Sequence, residues 1–465
     1  MEVLLINPPW TMRKGNVWKG IASCVPPIGL AQLASYLEKK NVQIKILDAN
    51  AESIYFPEIY NRLKKTKPDP VFIGITATTS IIDKALEVAC LCKDVFPNTK
   101  IILGGVHPSI LPEEVLNNKS VDYVIRGEGE ETLWELISGK EKAEILGLSY
   151  KNNGNIRHNP ERPIIENLDE LPLPAYHLLP IEKYHPALGS YKQLPGIGII
   201  STRGCPGRCT FCLGQYLGKR IRMNSAKRII EQIKLLQKEY GIKEISFYDD
   251  TFTVFKNNVI EFCELLIKER INITWSCFSR VDFVDKDILL LMKRAGCHQM
   301  CYGVESRSEQ ILQNIKKNIS FEKTKNAIEL TKDVGIETRA TFMLGSPGET
   351  KLTMIQTINY AIELEPDIAM FNITTPYPGT EMYAWALDKG YLKTRNWSNY
   401  DLSQPVMDLP TLNSEDVTKY YQKAYLKFYG RWGYLFRKFL NIKNLTNLKS
   451  SFKAFQTVCS ILLNR

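Results

Sequence analysis

Gly196-Ile197-Gly198-Ile199-Ile200-Ser201-Thr202-Arg203-Gly204-Cys205-Pro206-Gly207-Arg208-Cys209-Thr210-Phe211-Cys212 decides how the second half of the chain folds. A short apolar strand, Ile197–Ser201, runs straight into three cysteines within eight residues, on a loop holding two glycines. Glycine lets such a loop turn sharply. Three thiolates at this spacing can converge on one iron–sulfur cluster, and a cluster with only three protein ligands keeps one iron open for chemistry. A closed zinc site would want a fourth Cys or His nearby. The nearest upstream histidine is His185, and none follows until His298. A zinc knuckle and unligated core cysteines are the bland alternatives.

Outward from this loop the pattern alternates. Ile197–Ser201, Glu244–Tyr248, Thr274–Ser279, Gln299–Val304, Glu337–Leu344 and Asp367–Ile373 read as strands. Ala226–Tyr240, Asn258–Ile271, Lys286–Ala295, Phe321–Val334 and Thr350–Leu364 read as the helices between them. Six such units predict an α/β fold, a partial (β/α)6 barrel over residues 196–400, with its site at the carboxyl ends of the strands. The first 140 residues alternate likewise: strands Glu2–Asn7, Gln43–Asp48, Val71–Thr76, Thr99–Leu103 and Asp122–Ile125, and helices such as Leu30–Lys39, Ile81–Val95 and Glu130–Ile137. Buried strands separated by helices predict a doubly wound parallel sheet. Residues 141–195 hold Pro160, Pro163, Pro172, Pro174, Pro180 and Pro186, an irregular connector packed on both domains. Residues 401–465 form a helical, basic C-terminal region.

The 465 residues suit two domains and a tail. No secretory leader precedes the first strand, no apolar run reaches a membrane span, and eleven cysteines without a leader point to a reducing cytoplasm. The net charge of +10 is local, because Lys419 to Arg465 carries 10 Lys/Arg and no Asp/Glu. Nothing in that balance predicts nucleic acid at the catalytic body. Cys263, Cys277, Cys297 and Cys301 read as buried small hydrophobes, with a second cluster as the rival; Cys90 and Cys92 read as helix core positions.

Cys-x3-Cys-x2-Cys with an aromatic before the last cysteine resembles the radical S-adenosylmethionine superfamily, and the likeness extends along nearly the whole chain. It implies a 4Fe-4S cluster on Cys205, Cys209 and Cys212. The open iron would chelate the methionine amine and carboxylate, and an injected electron would cleave the sulfonium to a deoxyadenosyl radical. It further implies contacts to S-adenosylmethionine from Phe211, Asp249 and Asp250 (where many relatives carry Gly-Gly-Glu), Arg280, Glu305, Ser306, Met343 and Tyr377. Helix capping is the alternative for Asp249-Asp250, a pair with Asp282 the alternative for Arg280, and a tight turn that for Tyr377-Pro378-Gly379-Thr380.

The N-terminal half is similar to cobalamin-binding radical enzymes at Asn7-Pro8-Pro9-Trp10, Pro26-Pro27-Ile28-Gly29-Leu30, Thr76-Ala77-Thr78-Thr79-Ser80, Gly104-Gly105-Val106-His107-Pro108, Arg126-Gly127-Glu128-Gly129-Glu130 and Leu168-Asp169-Glu170-Leu171-Pro172-Leu173-Pro174. The likeness implies a flavodoxin-like cobalamin domain over residues 1–140, touched by Asn7, Pro8, Asn50, Thr76, Thr78, Thr79, Gly104, Gly105, His107 and Glu128. Related domains place a cobalt-ligating histidine in Asp-x-His-x-x-Gly after the second strand. Here Asp48-Ala49-Asn50-Ala51-Glu52-Ser53 puts Asn50 there, so the lower cobalt ligand is not a histidine of that loop. A weakly ligated cobalt favours methyl transfer.

The resemblance therefore implies methyl transfer from methylcobalamin to an unactivated carbon or a phosphinate centre. The alternatives are oxidative cyclisation or rearrangement with the same cofactors, as in anaerobic magnesium-protoporphyrin ester cyclases, and tRNA methylthio transfer. The latter is disfavoured by the absence of three clustered N-terminal cysteines. The expected partners are a small-molecule or lipid-like substrate and a flavodoxin or ferredoxin as electron donor, with no nucleic acid. In the tail, aromatic residues from Tyr420 to Phe439 interleave with Lys423, Lys427, Arg431, Arg437 and Lys438. Two readings stand: peripheral contact with the cytoplasmic membrane face, and a helix packed on the barrel's open side.

Overall fold

The computed structural model describes residues 2–10, 22–218, 220–434 and 436. The N-terminal strands are β1 (Glu2–Asn7), β2 (Gln43–Asp48), β3 (Phe72–Thr76), β4 (Lys100–Gly104) and β5 (Tyr123–Ile125). They lie side by side in the order β2-β1-β3-β4-β5, all parallel. Val3, Leu4, Leu5 and Ile6 are all buried because helices cover both faces of the sheet, so the strand shows no polar alternation. The order reverses direction at β1 and β3. That switch point opens a crevice beyond the carboxyl ends, where such sheets bind ligands.

Two antiparallel strands extend the same sheet, β6 (Leu148–Asn152) and β7 (Asn155–His158). The proline-rich stretch expected to be irregular thus begins as a hairpin, turned at Asn153 and Gly154, both with positive φ. Beyond it the chain does bind both halves. Ala175 donates its N–H to Ala31 O (2.9 Å), and the Asp169 carboxylate receives Ser225 N (2.9 Å) and Asn224 Nδ2 (3.2 Å).

The second sheet runs in simple succession: β8 (Gly196–Ile199), then, past the small ribbon β9 (Thr202–Arg203) and β10 (Arg222–Met223), β11 (Glu244–Phe247), β12 (Thr274–Ser279), β13 (Cys297–Glu305), β14 (Glu337–Leu344) and β15 (Ile368–Ile373). These six parallel strands form a half-barrel. Alternate residues such as Ala340, Phe342 and Leu344 pack outward against the helices, and those between them face the lumen. Helix starts follow the caps written in the sequence: Ser225, Asp285, Ser308, Ser320, Thr350 and Asn413 each accept an N–H from the first turn.

The C-terminal helix, Ser414–Tyr429, covers the exposed edge strand β15. The Tyr425 hydroxyl accepts Phe371 N–H (3.1 Å) and donates to Phe371 O (2.9 Å). Tyr429 does the same at Ala369 (3.2 and 2.8 Å), and Tyr434 donates to Asp367 O (3.1 Å). Four helical residues rise about 6 Å and two strand residues about 6.6 Å, so phenols at i and i+4 meet alternate edge peptides in step. This satisfies an edge that would otherwise recruit another strand. The packed-helix reading of the tail holds through Tyr434; Phe439 and the rest of the basic segment lie outside the described residues. Among the described residues no helix is long and apolar enough to cross a membrane.

Candidate active site between the two sheets

The cysteine loop is fastened at both ends. Asp249, just past β11, accepts the N–H groups of Ser201 (2.7 Å) and Thr202 (2.5 Å) and both their hydroxyls (2.7 and 2.8 Å). Downstream, Arg222 pairs with Arg203 in the ribbon, closing residues 204–221 into a loop. Inside it Cys205 N–H reaches Gly214 O (3.0 Å), Gly207 N–H reaches Cys205 Sγ (3.4 Å) and Gly214 N–H reaches Cys212 Sγ (3.3 Å). Such N–H···S bonds stabilise charge on sulfur and tune a cluster's potential. A Cβ on Gly207 would stand 3.5 Å from Cys205 Sγ and 3.6 Å from Cys209 Sγ; one on Gly214 would stand 3.6 Å from Cys212 Sγ. Gly207 thus lies against the sulfurs of Cys205 and Cys209, and Gly214 against that of Cys212.

None of the described cysteines forms a disulfide. Among the described residues no three His, Cys, Asp or Glu side chains draw together as ligands of a single metal ion. Burial pushes the Cys212 thiol up to about 11, against the Gly214 N–H, and burial also raises Cys209. Thiolates here need the positive charge of iron beside them.

Two cations flank Cys209. Burial works against the charge of Lys317, but Glu305 and the neighbouring Cys209 outweigh it and raise its pKa; its Nζ lies 2.8 Å from Glu305 Oε1. Arg280 forms a two-pronged pair with Asp282 (2.9 and 2.9 Å) and reaches Lys317 O (3.4 Å). Glu305, Lys316 and Asn318 all hold left-handed backbone, at φ of 67°, 52° and 50°. Strained non-glycine residues gather where structure serves a site. Lys317 had no signal in the sequence, since Lys316-Lys317 reads as an ordinary solvated pair.

A cavity of about 390 Å³ joins the two halves. Thr76, Gly104 and Gly105 line it from the N-terminal sheet, Ile28 and Gly29 from the first helix, and Gly204 and Asp250 from the barrel mouth. Gly105 has a φ of 101°, and a Cβ there would strike Ala77 O at 2.7 Å. Bare backbone at this point lets a bulky planar ligand lie close. Both sheets thus present their carboxyl ends to one space, the arrangement of a two-cofactor enzyme.

The comparisons agree. The Radical SAM superfamily matches residues 199–361 and the B12 binding domain residues 19–137. An uncharacterized methyltransferase of Pyrococcus horikoshii is 39% identical over 437 residues, covering 93% of each chain. The anaerobic magnesium-protoporphyrin IX monomethyl ester cyclase of Rubrivivax gelatinosus is 28% identical over 442 residues, 92% of this chain and 77% of that one. The solved structure of the cobalamin-dependent S-adenosylmethionine radical enzyme OxsB, with aqua-cobalamin and S-adenosylmethionine bound, superposes with a TM-score of 0.73 at 19% identity, over 99% of this chain and 72% of that chain. This chain belongs to the radical S-adenosylmethionine superfamily, in its cobalamin-binding branch. It is an enzyme of the methyltransferase type, and its cofactors are a 4Fe-4S cluster, S-adenosylmethionine and cobalamin.

The structure sorts the residues expected to touch these cofactors. Cys205, Cys209, Cys212, Asp250, Arg280 and Glu305 gather at the barrel mouth. Phe211 packs on the barrel core beside the loop, and Met343 is buried on the lumen face of β14. Asp249 does not join them, because its oxygens are spent on Ser201 and Thr202. Ser306 is turned to Ser308 N (3.1 Å) and Thr357 Oγ1 (3.2 Å). The Tyr377 hydroxyl donates to Tyr400 O (2.9 Å), and its ring packs on the N-terminal core.

On the cobalamin side, Thr76, Gly104, Gly105 and Glu128 border the cavity. Asn7 donates to Asp48 (2.8 Å) and Asn50 accepts Trp10 N–H (3.3 Å), holding the loop after β2 in place; Pro8 is buried and Thr78 exposed. His107 is fully buried, 3.3 Å from Thr79 Oγ1 and edge-on to Trp397, so it braces the domain rather than facing the cavity. Glu128 is taken by protein cations: Arg203 Nη1 at 2.5 Å and Arg222 Nη1 at 2.9 Å from both oxygens, while Glu130 takes Arg203 Nη2 at 2.7 Å. This buried seam ties the cobalamin domain to the ribbon carrying the cluster loop. Sequence reading missed it, since each arginine lies more than seventy residues from its acid. Cys263, Cys277, Cys297 and Cys301 are buried as expected, but Cys90 is exposed and only Cys92 is core.

Proposed function

We propose that this enzyme moves a methyl group from cobalamin to an unactivated carbon, or to a phosphinate phosphorus, of a small molecule. The shared cavity supports this most directly, because it brings the cluster loop and the corrin cradle to one space. When bound, the cluster with S-adenosylmethionine supplies a carbon radical, and cobalamin carries the methyl group. The protein's own part is placement. Asp250, bordering the cavity beside the loop, is the acceptor for the methionine ammonium. Lys317 holds Glu305 toward the same mouth, and Gly104 and Gly105 admit the corrin. Asn50 stands where a cobalt-ligating histidine would, so a bound cobalamin would receive no imidazole from that loop, which would favour methyl transfer. The name of the Pyrococcus relative agrees with this reading.

A second reading keeps the cofactors and replaces methylation by cyclisation or rearrangement, the activity in the name of the Rubrivivax relative. A flavodoxin or ferredoxin is the proposed electron source, and the basic tail the proposed membrane contact. The deciding experiment is anaerobic turnover of reconstituted protein with S-adenosylmethionine, methylcobalamin, dithionite and a panel of small-molecule methyl acceptors. Deoxyadenosine together with a product one CH2 heavier supports methylation; product that loses hydrogen or gains oxygen supports the alternative. Cys209→Ala should retain little iron and form no deoxyadenosine; undiminished cleavage would overturn the cluster assignment.

A further inference from the structure

Among the described residues, the lumen of the half-barrel contains one cation with no anionic partner, Arg339. Along β14, Arg339, Thr341 and Met343 alternate with the helix-facing Ala340, Phe342 and Leu344, so Arg339 points inward. Its strand register places it level with Cys301 on one side and Ile368 on the other. Its neighbours are neutral: Nη1 reaches Gln299 Oε1 (3.4 Å), Nη2 reaches Met370 Sδ (2.9 Å), and Nε is buried without any partner. No described carboxylate lies within salt-bridge distance of Arg339, although the other buried lumen acids are matched: Glu244 by His298 at 2.5 Å and Glu305 by Lys317 at 2.8 Å. Glu337 stops one amide short, bound by Gln299 Nε2 at 3.1 Å.

The space around this guanidinium is accessible. Tyr248, Phe278, Thr341, Met370 and Asn372 face the lumen and keep partial exposure, whereas the alternate residues of the same strands are fully buried. Below, the segment before β8 plugs the barrel, with Gln299 Nε2 on Gly189 O (2.8 Å) and Lys192 N on Glu244 (3.3 Å). Above, the lumen opens toward Asp250 and the cluster loop. Arg339 is itself only partly buried, with Nε shielded and its two Nη groups held by weak neutral partners, so an entering anion would complete its hydrogen bonding. A guanidinium is matched in shape to carboxylate and phosphate.

We propose that Arg339 is a substrate-binding residue that receives an anionic group, carboxylate or phosphate, at the inner end of the lumen. The inference rests on the enzymatic reading above and names its substrate class. Arg339 lies five residues before the end of β14, about 16 Å of strand. An elongated substrate anchored there by its anion would present its far carbon at the barrel mouth, where the radical is made. The anion selects and orients the substrate; the carbon that reacts lies at the other end.

Isosteric probes test this on the reconstituted full-length protein. Calorimetric titration with benzoate, phenyl phosphate and benzamide compares two anions with a neutral molecule of similar shape. Benzoate or phenyl phosphate should bind at least tenfold more tightly than benzamide, and the stronger of the two tells carboxylate from phosphate. Arg339→Gln should abolish that preference, and Arg339→Lys, which keeps the charge, should retain part of it. Equal binding of all three probes, or an undiminished preference in Arg339→Gln, overturns the proposal. The wild-type deoxyadenosine assay reads the enzymatic assignment separately. Cleavage without anion preference sinks the site alone, whereas anion preference without cleavage sinks the enzymatic reading.

Discussion

Glu349 shows how much one carboxyl can weigh. It is fully buried, its Oε2 accepts Gly345 N–H (2.5 Å) and Ser346 N–H (2.9 Å), and its Oε1 has no partner. Burial dominates over those two bonds and pushes the carboxyl up to about 8 from 4.5. A raised acid binds more protons folded than unfolded between those values. Stability therefore falls as pH rises through that window, by at most about 1.4 kcal/mol per unit, and levels off above it. Glu349→Gln keeps an acceptor for both N–H groups and cannot ionise. It should match the wild type near pH 4.5 and exceed it at pH 9 in denaturant unfolding; equal stability at both would refute this account. At the same scale the sequence revealed the cysteines, since their chemistry is local. It could not separate Asp249 from Asp250. Which of two adjacent carboxylates turns inward to Ser201 and which borders the cavity is set by the strand's alternation, and composition is blind to it.

Among elements, the tyrosines on the C-terminal helix are the most exposed to test. Tyr425→Phe and Tyr429→Phe each leave an edge peptide buried without its partner, at a cost of about 1–3 kcal/mol. Amide exchange should quicken at Phe371 in the first variant and at Ala369 in the second, and exchange confined elsewhere would contradict the pairing. Most of the elements themselves were legible. All six barrel strands and their helices lie within a few residues of the expected bounds, because buried parallel strands and amphipathic helices write different periods. The tail was legible only as two rival readings. A stripe of tyrosines and lysines fits a bilayer or a strand edge equally well until the strand is known to be the last one. The hairpin at 148–158 was hidden by prolines that lie just beyond it.

At the scale of the molecule, the two halves meet through the Glu128–Arg203–Glu130–Arg222 seam. Burial opposes the charge of Arg203, but Glu130 and Glu128 outweigh it, and the guanidinium holds its proton more tightly than usual. Removing one member of a buried pair leaves an uncompensated charge and costs about 3–5 kcal/mol. Glu128→Gln should lower stability by that order in denaturant unfolding, and a change below 1 kcal/mol would show the seam to be dispensable. Cobalamin at about a hundred times its dissociation constant should stabilise the wild type by about 2.7 kcal/mol. Because the cavity has walls from both halves, that gain should shrink in Glu128→Gln; an equal gain would place the corrin on the N-terminal domain alone.

The seam also governs which halves can be recombined. A chimera taking its N-terminal half from one relative and its barrel from another inherits acids from one parent and arginines from the other. Where the second parent lacks either arginine, the graft buries bare carboxylates at the join and should fail to assemble, however well each half folds. Inheritance across this junction is thus tied to four side chains, three of which also line the shared cavity, and a viable exchange must carry them as a set.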